Sequence, residues 1–305
     1  MNFRFPAMKK FAILLTLLFA YTTNSCQQQT VQELSAEIEN YLSEQEGTFA
    51  VWFQHLDDEE TFFAINPDTV FHAASTMKTP VMIEVFKREA QGEFSVEDSI
   101  RIDNEFYSIV DGSPFSLDLD PESDDPFERK AGEMTTIYDL THAMITYSSN
   151  IATNLMIQLA GAEETTQTMR ELGAENIDVL RGVYDMKAFE QGLSNRTTAR
   201  DLGIIFEKIA RKEAINPEAD SVMINILKDQ FYNDVIPPKL PEEVVTANKT
   251  GFITGVRHDS AIVYLPDGQS YVLIYLSKDL PDEDRGVEIG SEISRMIYDW
   301  LTARS

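Results

Sequence analysis

Apolar positions along the chain follow two periods. Val31, Leu34, Ile38, Tyr41 and Leu42 recur at helical spacing and predict an amphipathic helix over Val31–Tyr41. The runs Thr48–Leu56 and Thr61–Pro67 flank the acidic tetrapeptide Asp57–Glu60 and predict a β-hairpin. Val81, Met82, Val85 and Phe86 form an apolar face just after Ser75 and Lys78, with Pro80 where a first helical turn tolerates proline. The middle of the chain is helical in pattern, most clearly at Thr135–Ala160, Thr165–Leu172, Thr197–Lys212 and Pro217–Leu227. Strand signals return at Glu243–Phe252, Asp259–Gly268 and Ser270–Lys278, and a turn at Pro266–Gly268 joins the last two. Arg285–Leu301 closes the pattern as an amphipathic helix.

Strands at both ends with helices between them imply one antiparallel sheet of about five strands, covered by helices, with an inserted all-helical domain. The fold class is α/β (α+β). The expected division is an α/β subdomain from 30–98 and 215–305, and a helical subdomain from 99–214. A chain of 305 residues is long enough for such a core.

Charge narrows the partners. Asp plus Glu number 51 against 25 Lys plus Arg, a formal net charge of -26. Such a surface repels phosphate backbones, so nucleic acid is not an expected partner. Near the N-terminus, Lys9 and Lys10 precede an apolar run from Phe11 to Tyr21, which reads as the core of a signal peptide covering 1–26. Cys26 is the single cysteine, so no disulfide can form within one chain. Its place directly after the signal core resembles a bacterial lipoprotein lipobox, though Thr23, Asn24 and Ser25 depart from the usual Leu-small-small pattern. The resemblance implies a lipid anchor at Cys26 as the sole membrane contact; the alternative is a secretory signal cleaved nearby. Both imply export to the periplasm or cell envelope.

Three short motifs carry the candidate chemistry. Ser75 lies three residues before Lys78 at the start of an apolar helix pattern, so the two share a side. Burial and a second nearby cation would make that lysine a neutral base, and free N–H groups at a helix start suit an oxyanion. Ser148, Ser149 and Asn150 interrupt an apolar helical segment, a position that polar triplets occupy when they cap a turn or line a site. Lys249, Thr250 and Gly251 fall in a strand pattern, where the glycine permits close approach. Each motif alone also fits a capped helix, a solvated loop or an edge strand. His55, His72 and His142 are scattered, without metal-ligand spacing, and no Gly-x-Ser-x-Gly is present. No metal or cofactor is expected. Asp111–Glu128 alternates acids in the manner of a calcium loop, but lacks the turn glycine and the final bidentate Glu, which predicts a solvated loop.

Ser-x-x-Lys, Ser-x-Asn and Lys-Thr-Gly, in this order, resemble the penicillin-recognising serine hydrolases, and their contexts look most like class A β-lactamases. The resemblance spans Val31 to the end of the chain. It implies Ser75 as acylated nucleophile, Lys78 as base, and Ser148 as proton relay to the leaving nitrogen. It further implies Asn150 at the substrate's side-chain amide, Lys249 and Thr250 at its carboxylate, and the N–H groups of Ser75 and Phe252 as oxyanion hole. Gly251 completes the strand motif. The implied substrate is a small β-lactam or a peptidoglycan-like amide.

Two departures stand out. Ser149 replaces the usual Asp in the second motif. Where class A enzymes carry an Ω-loop Glu that activates the deacylating water, Arg181 is followed by Gly182, Val183 and Tyr184. Asp185 and Glu190 are the nearest acids and the candidate deacylation bases. His258, beside Arg257, lies near the strand position where many relatives bind the substrate carboxylate. Neighbours on a strand face opposite sides, so either one of the pair faces the site or both form a surface pair. A D,D-peptidase-like amide hydrolase, and a penicillin-binding protein that acylates without turnover, stay open beside the β-lactamase reading.

Overall fold

The computed structural model describes residues 1–2 and 29–304. The signal core and Cys26 lie outside the described residues. Helix α1 (Val31–Ser43) starts with a capping box: the Thr30 side chain accepts from Glu33 N, and Glu33 reaches back to Thr30 N. The predicted hairpin follows as β1 (Thr48–His55) and β2 (Phe62–Ile65). A two-residue strand β3 (Phe71–His72) leads through a 3-10 turn, Ala74–Met77, into α2 (Lys78–Ala90).

Short ribbons frame the middle region: β4 (Ser99–Arg101), β5 (Phe106–Tyr107), β6 (Pro114–Phe115) and β7 (Met134–Thr136), with β4 paired to β7 and β5 to β6. The helices that follow are α3 (Ile137–Thr146), α4 (Asn150–Ala160), α5 (Ala162–Glu171) and the short α6 (Met186–Glu190). The pattern over Thr135–Ala160 is thus two helices. The break falls at the polar triplet, where Ser148 takes a left-handed φ of 53° and the Ser149 hydroxyl caps α4 by accepting from Ala152 N. Strand β8 (Arg196–Thr197) pairs with β3, and α7 (Ala199–Arg211) and α8 (Pro217–Lys228) complete the helices of this region.

The chain then returns through β9 (Val245–Ile253), β10 (Val256–Tyr264) and β11 (Ser270–Lys278) and ends on α9 (Glu283–Thr302). All five long strands form one antiparallel sheet, as the pattern predicts, and its order is β2-β1-β11-β10-β9. The sheet is buried on both faces, which explains why β1 and β11 read as nearly continuous apolar runs. Val51, Phe53, Ala261, Val263, Leu273 and Tyr275 share one core with α1 and α9. Ala50, Trp52, Ala247, Ile262, Ile274 and Leu276 join the other, with the helical region. Helix α7 falls in the stretch assigned to the helical subdomain, yet it packs on the sheet against β1, β10 and β11.

Helix α2 is the axis of the helical region. Val81, Met82, Ile83, Val85 and Phe86 are all buried, and α3, α4, α5 and α8 pack around it. Its first turn is therefore held at the seam between helices and sheet. Among the described residues, no helix is long and apolar enough to cross a membrane.

The fit of α7 to the sheet depends on one missing methyl. A Cβ on Gly203 would lie 2.5 Å from Cδ1 and Nε1 of the buried Trp52 indole. Gly203→Ala is expected to destabilise by about 1–3 kcal/mol through overpacking, read as a lowered Tm by calorimetry. An unchanged Tm would show that the indole moves aside without cost.

Candidate active site

Ser75 sits half-buried on the 3-10 turn, one residue after Ala74, which is strained into a left-handed φ of 46°. The expected α-helical start is thus a 3-10 turn. Residues three apart eclipse on such a turn, so the Ser75–Lys78 spacing still puts both on one side. The close neighbour of this turn is β9. A Cβ on Gly251 would lie 3.1 Å from Thr76 N and 3.2 Å from Ser75 N. Glycine in the third motif lets the strand backbone lie against the backbone of the serine turn.

Both motif lysines are fully buried and converge on one residue. Lys78 Nζ donates to Ser148 O at 2.6 Å, Ser148 Oγ at 2.9 Å and Asn150 Oδ1 at 3.2 Å. Lys249 Nζ donates to the same Ser148 Oγ at 3.2 Å and to Thr250 O at 2.9 Å. Burial, and then the charge on Lys249, hold the Lys78 amine well below the usual lysine range, against the opposing pull of Asp125. Burial also lowers Lys249 to about 7, opposed by Asp259 and Asp234. The lowered pKa of Lys78 favours the neutral amine, the form that can accept a proton. With both nitrogens donating to the Ser148 oxygen, that hydroxyl keeps its own proton for a third partner.

The remaining expected site residues separate. Thr250 is buried beside Lys249, while Phe252 is 59% exposed with the Arg257 guanidinium 5.0 Å above its ring. His258 is not turned to a ligand. It is fully buried, Nε2–H donates to His72 O at 3.0 Å, and Nδ1 accepts from Ser277 N at 3.2 Å. Burial lowers its pKa to about 4, consistent with this neutral form. The ring ties β10 to β3, three residues before Ser75. Arg257 is held by Glu283 at 2.7 Å.

Asp185 is buried and caps α6. Its Oδ1 accepts from Ser108 Oγ at 2.8 Å and Ala188 N at 3.1 Å, and its Oδ2 accepts from Ile109 N at 2.9 Å. Burial raises its pKa, but those N–H groups, the Ser108 hydroxyl and the Arg181 charge outweigh it, and the net shift is downward. A carboxylate so engaged is a weak base. Glu190 is exposed at the end of α6. The loop around Val183 is stitched to α4 instead: Val183 N donates to Asn154 Oδ1 at 2.7 Å, and Asn154 Nδ2 donates to Val183 O at 3.1 Å.

One carboxylate was not expected here. Asp125 belongs to the loop read as solvated, yet it is only 5% exposed. The Ser149 hydroxyl lies beside it and the Lys78 charge acts on it. Its Oδ1 accepts from Phe127 N at 2.9 Å, and its buried Oδ2 has no hydrogen-bond partner. Acid alternation in an Asp- and Pro-rich stretch gave no sign of which acid turns inward. Asn154, inside an apolar helix, carried a fainter signal of the same kind. Among the described residues, no group of His, Cys, Asp or Glu is placed to hold a metal ion.

The Asp185 geometry makes a prediction. Asp185→Ala removes three accepted hydrogen bonds and is expected to destabilise by about 1–3 kcal/mol, measured by urea unfolding. Lost hydrolysis at unchanged stability would instead make Asp185 a catalytic base.

Comparison with known proteins places this geometry in a family. The model of the β-lactamase enzyme family matches residues 33–301. A β-lactamase of Bacillus licheniformis is 25% identical over 306 residues, covering 95% of this chain and 94% of that protein. β-lactamase VEB-1 of Pseudomonas aeruginosa is 21% identical, covering 94% and 97%. Among solved structures, PBP-A has a TM-score of 0.78 at 28% identity, covering 90% of this chain and 98% of that one. A point mutant of PBP-A, solved as an acyl-enzyme complex with penicillin-G, has a TM-score of 0.76. The family model covers most of the chain and the fold has its counterpart in solved structures: the chain belongs to the β-lactamase enzyme family.

Proposed function

We propose that the protein is an exported serine hydrolase that opens a β-lactam or related amide through an acyl-Ser75 intermediate. The observation that carries this reading is the convergence of Lys78 and Lys249 on the Ser148 hydroxyl beside the Ser75 turn. In this reading neutral Lys78 takes the Ser75 proton as Oγ attacks the carbonyl carbon. The N–H groups of Ser75 and Phe252 hold the oxyanion. The C–N bond then breaks, Ser148 gives its proton to the leaving nitrogen, and Lys78 returns one to Ser148. Asn150 holds the substrate's side-chain amide, and Lys249 with Thr250 holds its carboxylate. The signal core and Cys26 support export and a lipid anchor.

The deacylation step separates the alternatives. Asp185 has its oxygens engaged and Glu190 is exposed, which favours slow release of the acyl group, as in a D,D-peptidase-like enzyme or a penicillin-binding protein. The acyl-enzyme complex of a PBP-A mutant with penicillin-G supports a β-lactam as the acylating substrate here.

Mixing the protein with a chromogenic cephalosporin, while following colour and intact mass, tests both points. A stoichiometric burst with a persistent adduct on Ser75, followed by slow turnover, is expected, and Ser75→Ala should abolish adduct and colour. No adduct and no colour in the wild type would overturn the β-lactam reading. The pH dependence is specific as well. Lys249 must be charged to hold a carboxylate, and its pKa is about 7, so kcat/KM for an anionic β-lactam should fall as pH rises through about 7. Activity toward a neutral ester should lack that descending limb. Equal limbs for the two substrates would remove Lys249 from carboxylate binding.

A further inference from the structure

The second motif carries Ser149 where the family's usual residue is an acid, and the structure brings an acid to that position from elsewhere. We propose that Asp125, delivered by the loop between β6 and β7, is a positioning residue that fixes the Ser148–Asn150 turn through Ser149 and balances the positive charge that Lys78 acquires. This deepens the acyl-Ser75 reading and rests on it.

Burial makes the case. Asp125 is 5% exposed, Ser149 1% and Lys78 not at all. A carboxylate is rarely buried with an unpartnered oxygen, because its desolvation goes uncompensated. Here Oδ1 takes Phe127 N, which fixes the loop, and Oδ2 is left without a hydrogen-bond partner. The nearest compensation is the Ser149 hydroxyl and the Lys78 amine. Ser149 already uses its oxygen as acceptor for Ala152 N at the start of α4, so its O–H is the part available to Asp125. The Ser148 and Asn150 groups that receive Lys78 flank Ser149 directly.

When Lys78 takes the nucleophile's proton, it becomes a buried ammonium beside a second buried lysine. Among the groups that act on Lys78, Lys249 disfavours its charged form and Asp125 favours it. Burial pushes the Asp125 carboxyl above its usual range, opposed by the Ser149 hydroxyl, the Phe127 N–H and the Lys78 and Arg129 charges, and the acidic Glu128 and the Tyr232 phenol lie near it. Lys249 has its own counter-charges in Asp259 and Asp234. Asp125 is thus the acid whose charge is directed at the base.

The test is Asp125→Asn, which keeps size and removes charge. The Lys78 Nζ titration, followed by NMR in lysine-labelled protein, should move to lower pH than in wild type. The burst of acylation should slow by about 10- to 100-fold with little change in KM, and its ascending pH limb should move down with the lysine. Ser149→Ala, which leaves the charge in place, should slow acylation without moving the Lys78 titration. An unmoved lysine titration in Asp125→Asn overturns the charge-balancing role, and so does a variant whose sole change is a lower Tm. If Asp125→Asn fails to fold, Asp125→Glu must preserve the titration, and its failure to do so overturns the proposal. Because the titration needs no substrate, a wild type inert to cephalosporins would sink the β-lactam reading alone.

Discussion

Two buried ammonium-forming groups share one hydroxyl, and the rest of the site is arranged around that contact. Water would dissipate the repulsion between Lys78 and Lys249; the interior does not. The free energy falls when one nitrogen gives up its proton, so burial itself generates the base. That requires a rigid frame, because a lysine that can swing into solvent regains its charge. The frame is helix α2, buried from Lys78 to Phe86, and the edge strand β9, which carry one lysine each.

Two residues are strained to complete this frame. Ala74 and Ser148 both hold left-handed backbones, a conformation that costs about 1–3 kcal/mol per non-glycine residue. They lie on either side of Lys78, one before Ser75 and one between α3 and α4. The strain turns Ser75 toward the strand and Ser148 toward the lysines. It is supported from outside the site by the His258 ring, which grips the His72 carbonyl, and by the Ser149 cap on α4.

Sheet and helices were largely legible in the sequence. Strands β1 and β11 announced themselves because a sheet covered on both faces needs long apolar runs, and α1, α7 and α9 because each buries one stripe. The motifs Ser75–Lys78, Ser148–Asn150 and Lys249–Gly251 were legible for the same local reason: spacing on a turn or strand sets which side chains share a side. What was hidden depends on contacts remote in sequence. Asp125 looks like any other acid of its loop until the loop folds over Ser149. His258 looks like a ligand-facing residue until β3 is seen to cover it. Asp185 looks like a base until Ser108 and Ile109, more than seventy positions earlier, are found on its oxygens.

Strand β9 lies at the margin of the sheet, with no sixth strand beside it among the described residues. An uncovered margin is a template for any extended chain, including another copy's. Helix α8 and the serine turn cover much of it, and Phe252 and Ile253 remain outside. Those two apolar residues make the end of β9 a place where another copy's strand could pair. A formal charge of -26 makes copies repel one another before their edges meet. The acidic surface thus acts as a solubility guard for a partly exposed sheet edge.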